Sequence, residues 1–277
     1  MGTYLGEVPA AGEPMRVASC VEWLLAPNPS AWTFEGTNTW IVGVPGGSTC
    51  AVIDPGPDDA RHVEALRRAV GRRSVSTVLI THDHDDHHGA TDAVLRWSGA
   101  TLLDATTAVS TTAPRGSAQR SVTVADGIDA TVLSTPGHTR DSVCILLPAH
   151  REIFTGDTIL GSGSPMVRPS LMADMLRTLR TLADLGARSH VTVRPGHGPV
   201  LDSLADAANR RLAARLRRIA QVAALTDEDS GLTVDELVTA MYPNLTDPDV
   251  RRAAASSVEA IQRYLAASEP VGSEARA

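Results

Sequence analysis

Residues 77–90 read TVLITHDHDDHHGA, an apolar run that stops abruptly in a cluster of imidazoles and carboxylates. The run is short and β-branched, as expected of a buried strand. The cluster behind it carries His82, His84, Asp86 and His87 in the pattern HxHxDH. Imidazoles and carboxylates taken out of water need partners, and this mixture is one that zinc binds. Taken alone, the run would fit a solvated surface loop equally well.

Three further segments repeat the arrangement. VLSTPGHT at 132–139 places His138 just past a strand, IFTGDT at 153–158 places Asp157, and VTVRPGHGP at 191–199 places His197. Each is a short apolar stretch ending in a glycine-containing turn that presents one metal-binding side chain. Ligands of open α/β sheets gather outside strand ends, so four such ends point to one common site.

The spacing predicts strands at 39–44, 49–53, 77–80, 130–133, 142–147, 151–154 and 190–193. Helical patterns fall between them at 58–70, 89–97 and 171–185. Mixed strands and helices argue for a layered α/β domain over residues 1–200, in which residues 1–30, rich in Gly and Pro, read as loosely patterned. After Pro199 the character changes. A helix is expected over 202–225, with Leu212, Leu216, Ile219 and Ala223 on one face and Arg211, Arg215 and Arg218 elsewhere on the surface. Thr233 and Glu236 fit a capping box opening a second helix. Asp247-Pro248 fits an N-cap with proline at the first helical position, opening a third. Residues 201–277 therefore read as a small C-terminal helical subdomain, with a frayed tail after Pro270.

The net charge of −7 provides no global basic field to draw in nucleic acid. Cys20, Cys50 and Cys144 are widely spaced with no CxxC pair, which suits a reducing cytosol and neither a disulfide framework nor a thiolate zinc site. No signal-peptide pattern and no apolar stretch near the ~18 residues of a membrane span is evident. A cytoplasmic protein without membrane association is expected.

With these motifs together, the chain resembles the metallo-β-lactamase superfamily over roughly residues 30–200. The resemblance implies an αββα sandwich. It also implies two zinc ions per chain, one held by His82, His84 and His138, the other by Asp86, His87 and His197, with Asp157 bridging. Asp86 and Asp157 become the catalytic carboxylates, and Asp54, in AVIDPG, matches the family's supporting acid, while by itself it fits a turn residue before Pro55 equally well. Zinc lowers the pKa of bound water to around 7, giving a metal-bridging hydroxide as nucleophile. Di-iron redox relatives carry Glu where this chain has His84, and usually a flavin domain, so zinc hydrolysis is expected over iron chemistry. His62, His88, His150 and His190 read as structural or exposed.

NPSAWTFEGTNTWIVG at 28–43, PGHTRDS, FTGDTILG, RPGHGPV and the C-terminal helices are similar to the lactamase-beta-like branch. That branch contains endoribonucleases and polyketide-releasing thioesterases and carries a winged-helix-like C-terminal domain. Asn209-Arg210 and Asp141-Ser142 stand where nuclease members commonly show His-Arg and His. The bond attacked stays open here among ester, thioester and phosphodiester. A single-stranded RNA endoribonuclease would use Arg210, Arg211 and Arg215 to track phosphates. A small-molecule acyl or ester substrate would need an apolar cleft, walled by Trp32, Phe34 and the 161–166 loop. A non-catalytic metal-binding scaffold with a partner-binding helical subdomain is the reading of another class. Asn38 is a candidate for bonding a substrate oxygen, or for an Asn turn onto its own backbone. No oligomeric state is implied.

Overall fold

Period-two alternation along the strands decides the layering. The computed structural model describes residues 7–104, 119–229 and 231–268. One sheet contains β1 (Met15–Ala18), β2 (Val21–Leu25), β3 (Asn38–Val42), β4 (Thr49–Ile53), β5 (Ser74–Leu79) and β6 (Thr101–Leu103), in that spatial order. The other contains β7 (Gln119–Ala125), β8 (Ile128–Ser134), β9 (Val143–Leu147), β10 (Glu152–Gly156) and β11 (Thr192–Pro195). β4, β5 and β6 run parallel, as do β10 and β11; the remaining pairs are antiparallel.

Trp40, Val42, Ala51 and Ile53 point inward and meet Ile128, Val132, Ile145 and Phe154 of the opposite sheet. The alternate residues Ile41, Cys50 and Val52 point outward and pack under α1 (Ala60–Val70) and α3 (Thr91–Ser98) through Leu66, Val70 and Val94. On the far side, Cys144, Ile153 and Val193 lie beneath α4 (Met172–Arg188). The result is the expected αββα order.

Residues 1–30, read as loosely patterned, contain β1 and β2. Val21, Trp23, Leu24 and Leu25 are buried there, and the register Trp23↔Trp40 stacks two indoles with centroids 5.2 Å apart. A stacked aromatic pair adds about 1 kcal/mol beyond its buried area. The surrounding Gly and Pro obscured this short strand pair, whose partner β3 lies beyond a long turn. β6 and β7 likewise fall outside the predicted strands.

α5 (Leu204–Glu228), α6 (Val234–Met241) and α7 (Pro248–Ser268) supply the three C-terminal helices. The capping box at Thr233 and Glu236 is formed, and Asp247 Oδ1 accepts from the backbone of Asp249 and Val250. Ile219, Val222, Leu237, Val238, Val258 and Ile261 join the same apolar cluster as α4, so these helices share a core with the second sheet. Residues 202–229 and 231–268 contain no strand, so no wing forms among them. The tail after Pro270 lies outside the described residues. Among the described residues, no helix is long and apolar enough to cross a membrane.

The facing of α5 departs from the sequence reading. Leu216 is 43% exposed whereas Arg215 is 8% exposed, so the arginine stripe turns inward. The reason lies beside the candidate site.

Candidate metal centre

The turns that follow β5, β8, β10 and β11 converge. His82, His84, His138 and Asp157 form one group of donor atoms, and Asp86, His87 and His197 another; within each group the atoms lie within 4.8 Å of one another. In the first, His84 Nδ1 is 3.0 Å from His82 Nε2 and 3.1 Å from His138 Nε2. In the second, His197 Nε2 is 3.2 Å from His87 Nε2 and 3.2 Å from Asp86 Oδ2. Asp157 addresses both. Its Oδ2 is 3.6 Å from His138 Nε2, while its Oδ1 is 3.4 Å from both His87 Nε2 and His197 Nε2.

Local folding aims these side chains. α2 (Asp85–His88), a single turn after β5, brings Asp86 and His87 to the same place. Asp54, at the end of β4, adopts φ 50° and holds the loop. Its Oδ1 accepts from the Thr81 backbone at 2.8 Å, and its Oδ2 accepts from Thr81 Oγ1 at 2.7 Å and contacts His87 Nδ1 at 2.8 Å. His138 Nδ1 donates to the Met166 carbonyl at 2.9 Å and His197 Nδ1 to the Gly36 carbonyl at 3.2 Å. A carbonyl oxygen only accepts, so in both rings Nδ1 carries the proton and Nε2 is left to face the site. Gly196 permits a close approach: a Cβ there would lie 2.6 Å from both Asp157 Oδ1 and His87 Cε1.

Electrostatics follow from burial and neighbours. Burial drives His82 well below its ordinary pKa, and His87, His138 and His84 push the same way. Burial also lowers His84, with His138 next. For His87 burial is outweighed by Asp54 and Asp157, which raise it well above the usual value. Burial acts to raise Asp86, but its bond to His197 and the charge of His87 bring it down to about 2. Asp157 is likewise held well below the carboxylate range by His197 and His87 against the effect of burial. At neutral pH His82 and His84 are thus uncharged and Asp86 and Asp157 ionised, whereas His87 carries a proton that a bound zinc ion would displace. Two observations fit a cation here: His84 Nδ1 meets the Nε2 atoms of both His82 and His138 with at most one proton of its own to share, and Asp157 Oδ1 is buried without a hydrogen-bond partner.

A cavity of about 1000 Å³ opens on both groups. Trp32, Phe34 and Gly163 to Met166 line it, as the cleft reading expected. Arg211 and Arg215 line it as well, whereas Arg210 is exposed and outside the lining. Asn38 is not a substrate contact. It is fully buried, its Oδ1 accepts from Trp23 Nε1, and its Nδ2 donates to the carbonyls of Pro195 and Gly198. It ties β3 to the turn that carries His197. His62 is buried and meets Thr39 Oγ1 at 2.9 Å, a structural role. Sequence reading missed Thr81, the Met166 and Gly36 carbonyls, and the pairing of Arg218 with Tyr242, whose ring lies 4.6 Å from the guanidinium carbon. Only the i, i+4, i+7 spacing of Arg211, Arg215 and Arg218 signalled a shared face.

A family model described as the metallo-beta-lactamase superfamily matches residues 32–103 and 117–197. The chain belongs to that superfamily. A metallo-β-lactamase-fold protein with these relatives is a hydrolase. The chain is similar to a beta-lactamase-like protein 2 homolog of Caenorhabditis elegans, 27% identical over 267 residues, covering 91% of this chain and 86% of that protein. It is also similar to an atrochrysone carboxyl ACP thioesterase of Passalora fulva, 30% identical over 294 residues, covering 100% of this chain and 84% of that one. Among solved structures, a beta-lactamase domain protein from Burkholderia ambifaria matches with a TM-score of 0.77 at 18% identity, covering 94% of this chain and 90% of that one. At that identity the likeness speaks for the fold alone.

Proposed function

We propose that this metallo-β-lactamase-fold hydrolase holds two zinc ions and cleaves acyl thioesters. The observation that carries the reading is the wall of the cavity. Trp32, Phe34, Leu160, Met166, Leu245 and Val250 line the space that opens on the donor groups. Such a wall takes up an acyl chain because removing apolar surface from water is favourable. Single-stranded RNA calls instead for an open basic groove along its backbone; Arg210 stands apart from this cavity, and Arg211 and Arg215, which do line it, form one stripe on a largely apolar wall. Relatives named as acyl-carrier-protein thioesterases support the same choice.

In this reading His82, His84 and His138 would hold one ion and Asp86, His87 and His197 the other, with Asp157 shared between the two groups. When bound, zinc supplies Lewis acidity and lowers the pKa of water from 15.7 to about 7. Asp54 keeps His87 oriented through Nδ1. Asp86, ionised and on the cavity wall, accepts a proton as the water oxygen bonds to the thioester carbonyl carbon. The C–S bond then breaks, the departing thiolate takes up the proton that Asp86 accepted, and the products are a carboxylic acid and a thiol. A thiol with a pKa of about 8.5 departs as thiolate without a strong acid beside it. Residues 1–200 serve as the catalytic domain and 201–277 as the helical subdomain that shapes the cavity. Three buried free thiols, Cys20, Cys50 and Cys144, support a reducing cytosol as the working compartment.

Zinc-loaded protein is assayed against an octanoyl thioester of N-acetylcysteamine and against a short single-stranded RNA. Thioester cleavage with intact RNA is expected, abolished by Asp86→Asn and by Asp157→Asn. RNA cleavage without thioester cleavage would replace this reading with the endoribonuclease, and inactivity on both would favour the non-catalytic scaffold.

A further inference from the structure

Three arginines on the wall of the cavity take no part in the chemistry above. Arg211, Arg215 and Arg218 follow one another at i, i+4 and i+7 on α5, a spacing that stacks side chains along one stripe. All three line the cavity that opens on His84, Asp86, His138 and Asp157. Arg211 Nη2 donates to the Leu160 carbonyl at 2.7 Å, and Arg215 Nη2 donates to the Pro165 carbonyl. Arg218 lies over Tyr242 and donates to Gln221 Oε1 at 3.2 Å.

For Arg215 and Arg218 these contacts use a fraction of the donors available. Each guanidinium carries five N–H groups in a planar fork suited to carboxylate or phosphate oxygens. Among the described residues, neither Arg215 nor Arg218 forms an ion pair with a carboxylate. The acidic residues that line the cavity are Asp86 and Asp157, and both already face histidines of the donor groups. A cation that is 8% exposed, as Arg215 is, is costly to bury unless an anion meets it. Burial, joined by the charges of Arg211 and Arg218 and opposed by Tyr242, brings Arg215 down to about 10, so it keeps its charge at neutral pH. An apolar wall with one concentrated cationic stripe is suited to a substrate that is apolar over most of its length and anionic at one place.

We infer that Arg215, flanked by Arg211 and Arg218, binds an anionic oxygen group of the substrate while the scissile carbonyl lies at the donor groups. The inference rests on the thioester reading. The shared chemistry is a carboxylate or phosphate oxygen, with two sources: a carboxylate on the acyl chain, or a phosphate on the arm that carries the thiol.

Steady-state kinetics on zinc-loaded protein separates them. The substrates are the octanoyl thioester of N-acetylcysteamine, its ω-carboxylated counterpart, and the octanoyl thioester of coenzyme A. A KM about tenfold lower for the ω-carboxylated substrate places the anion on the acyl chain, and the same gain for the coenzyme A thioester places it on the arm. Either preference should collapse in Arg215→Gln and shrink in Arg218→Gln, the second variant guarding against misfolding of the first. A side chain that merely ties the 160–166 loop to α5 would not change selectivity between substrates that differ in charge.

Equal kcat/KM for all three substrates overturns the anion subsite and leaves the thioester reading standing. If none is hydrolysed, the thioester reading fails, and calorimetry decides the subsite on its own. Suberate is compared with its dimethyl ester, and 4′-phosphopantetheine with pantetheine. Charge-selective binding that disappears in both arginine variants upholds the subsite. Binding that survives them, or is absent from the wild-type protein, overturns it.

Discussion

Asp54 does three jobs at the residue scale: it holds the Thr81 backbone and hydroxyl, and it aims His87. It does so at φ 50°, a region Asp tolerates better than most residues. Asp54→Ala leaves buried donors without an acceptor, at a cost of about 1–3 kcal/mol for each. In the proposed two-zinc site, loss of the partner of His87 should weaken zinc binding by roughly 10–100-fold. Competition titration with a chromophoric chelator checks this, and unchanged affinity would contradict the role. His62 sets a pH dependence away from the donor groups. Burial lowers it from 6.5 to about 4, so the folded chain binds fewer protons than the unfolded one. Its stabilising share is complete above pH 6.5 and declines as pH falls from 6.5 towards 4, by about 3 kcal/mol at most. Urea denaturation across that window should show a shallower slope in His62→Gln than in the wild type.

At the scale of elements, glycine in the turn after β11 lets the site close. With a Cβ at Gly196 2.6 Å from Asp157 Oδ1 and His87 Cε1, Gly196→Ala must displace one of them. Far-UV circular dichroism should stay unchanged while activity falls about 100-fold, since a displacement near 1 Å costs that much; full activity would mean the turn has slack. The donor residues were legible because each stands in a local pattern of strand, glycine turn and ligand. α5 was not. A helix read in isolation turns Leu inward and Arg outward, and Leu216 and Arg215 reverse that because the helix borders a cavity rather than a continuous core. Asn38 was misread for a related reason: its partners Trp23, Pro195 and Gly198 lie on other elements.

At the scale of the whole molecule, a metal that binds only the folded chain stabilises it by mass action, about 2.7 kcal/mol at a free concentration 100 times Kd. Stripping with a chelator should lower Tm by several degrees, and adding zinc should restore it; scanning calorimetry of both forms checks this, and identical curves would argue against a metal joining these loops. The seven donor residues and the change of character after Pro199 were legible in the sequence itself, because turn chemistry and residue type act over a few neighbouring positions, whereas the αββα order came only with the family resemblance. Tertiary structure alone decided the pairing of β1 and β2 and the inward turn of Arg211, Arg215 and Arg218. Each of these depends on which distant surfaces meet, and burial and charge balance are properties of that meeting rather than of any segment.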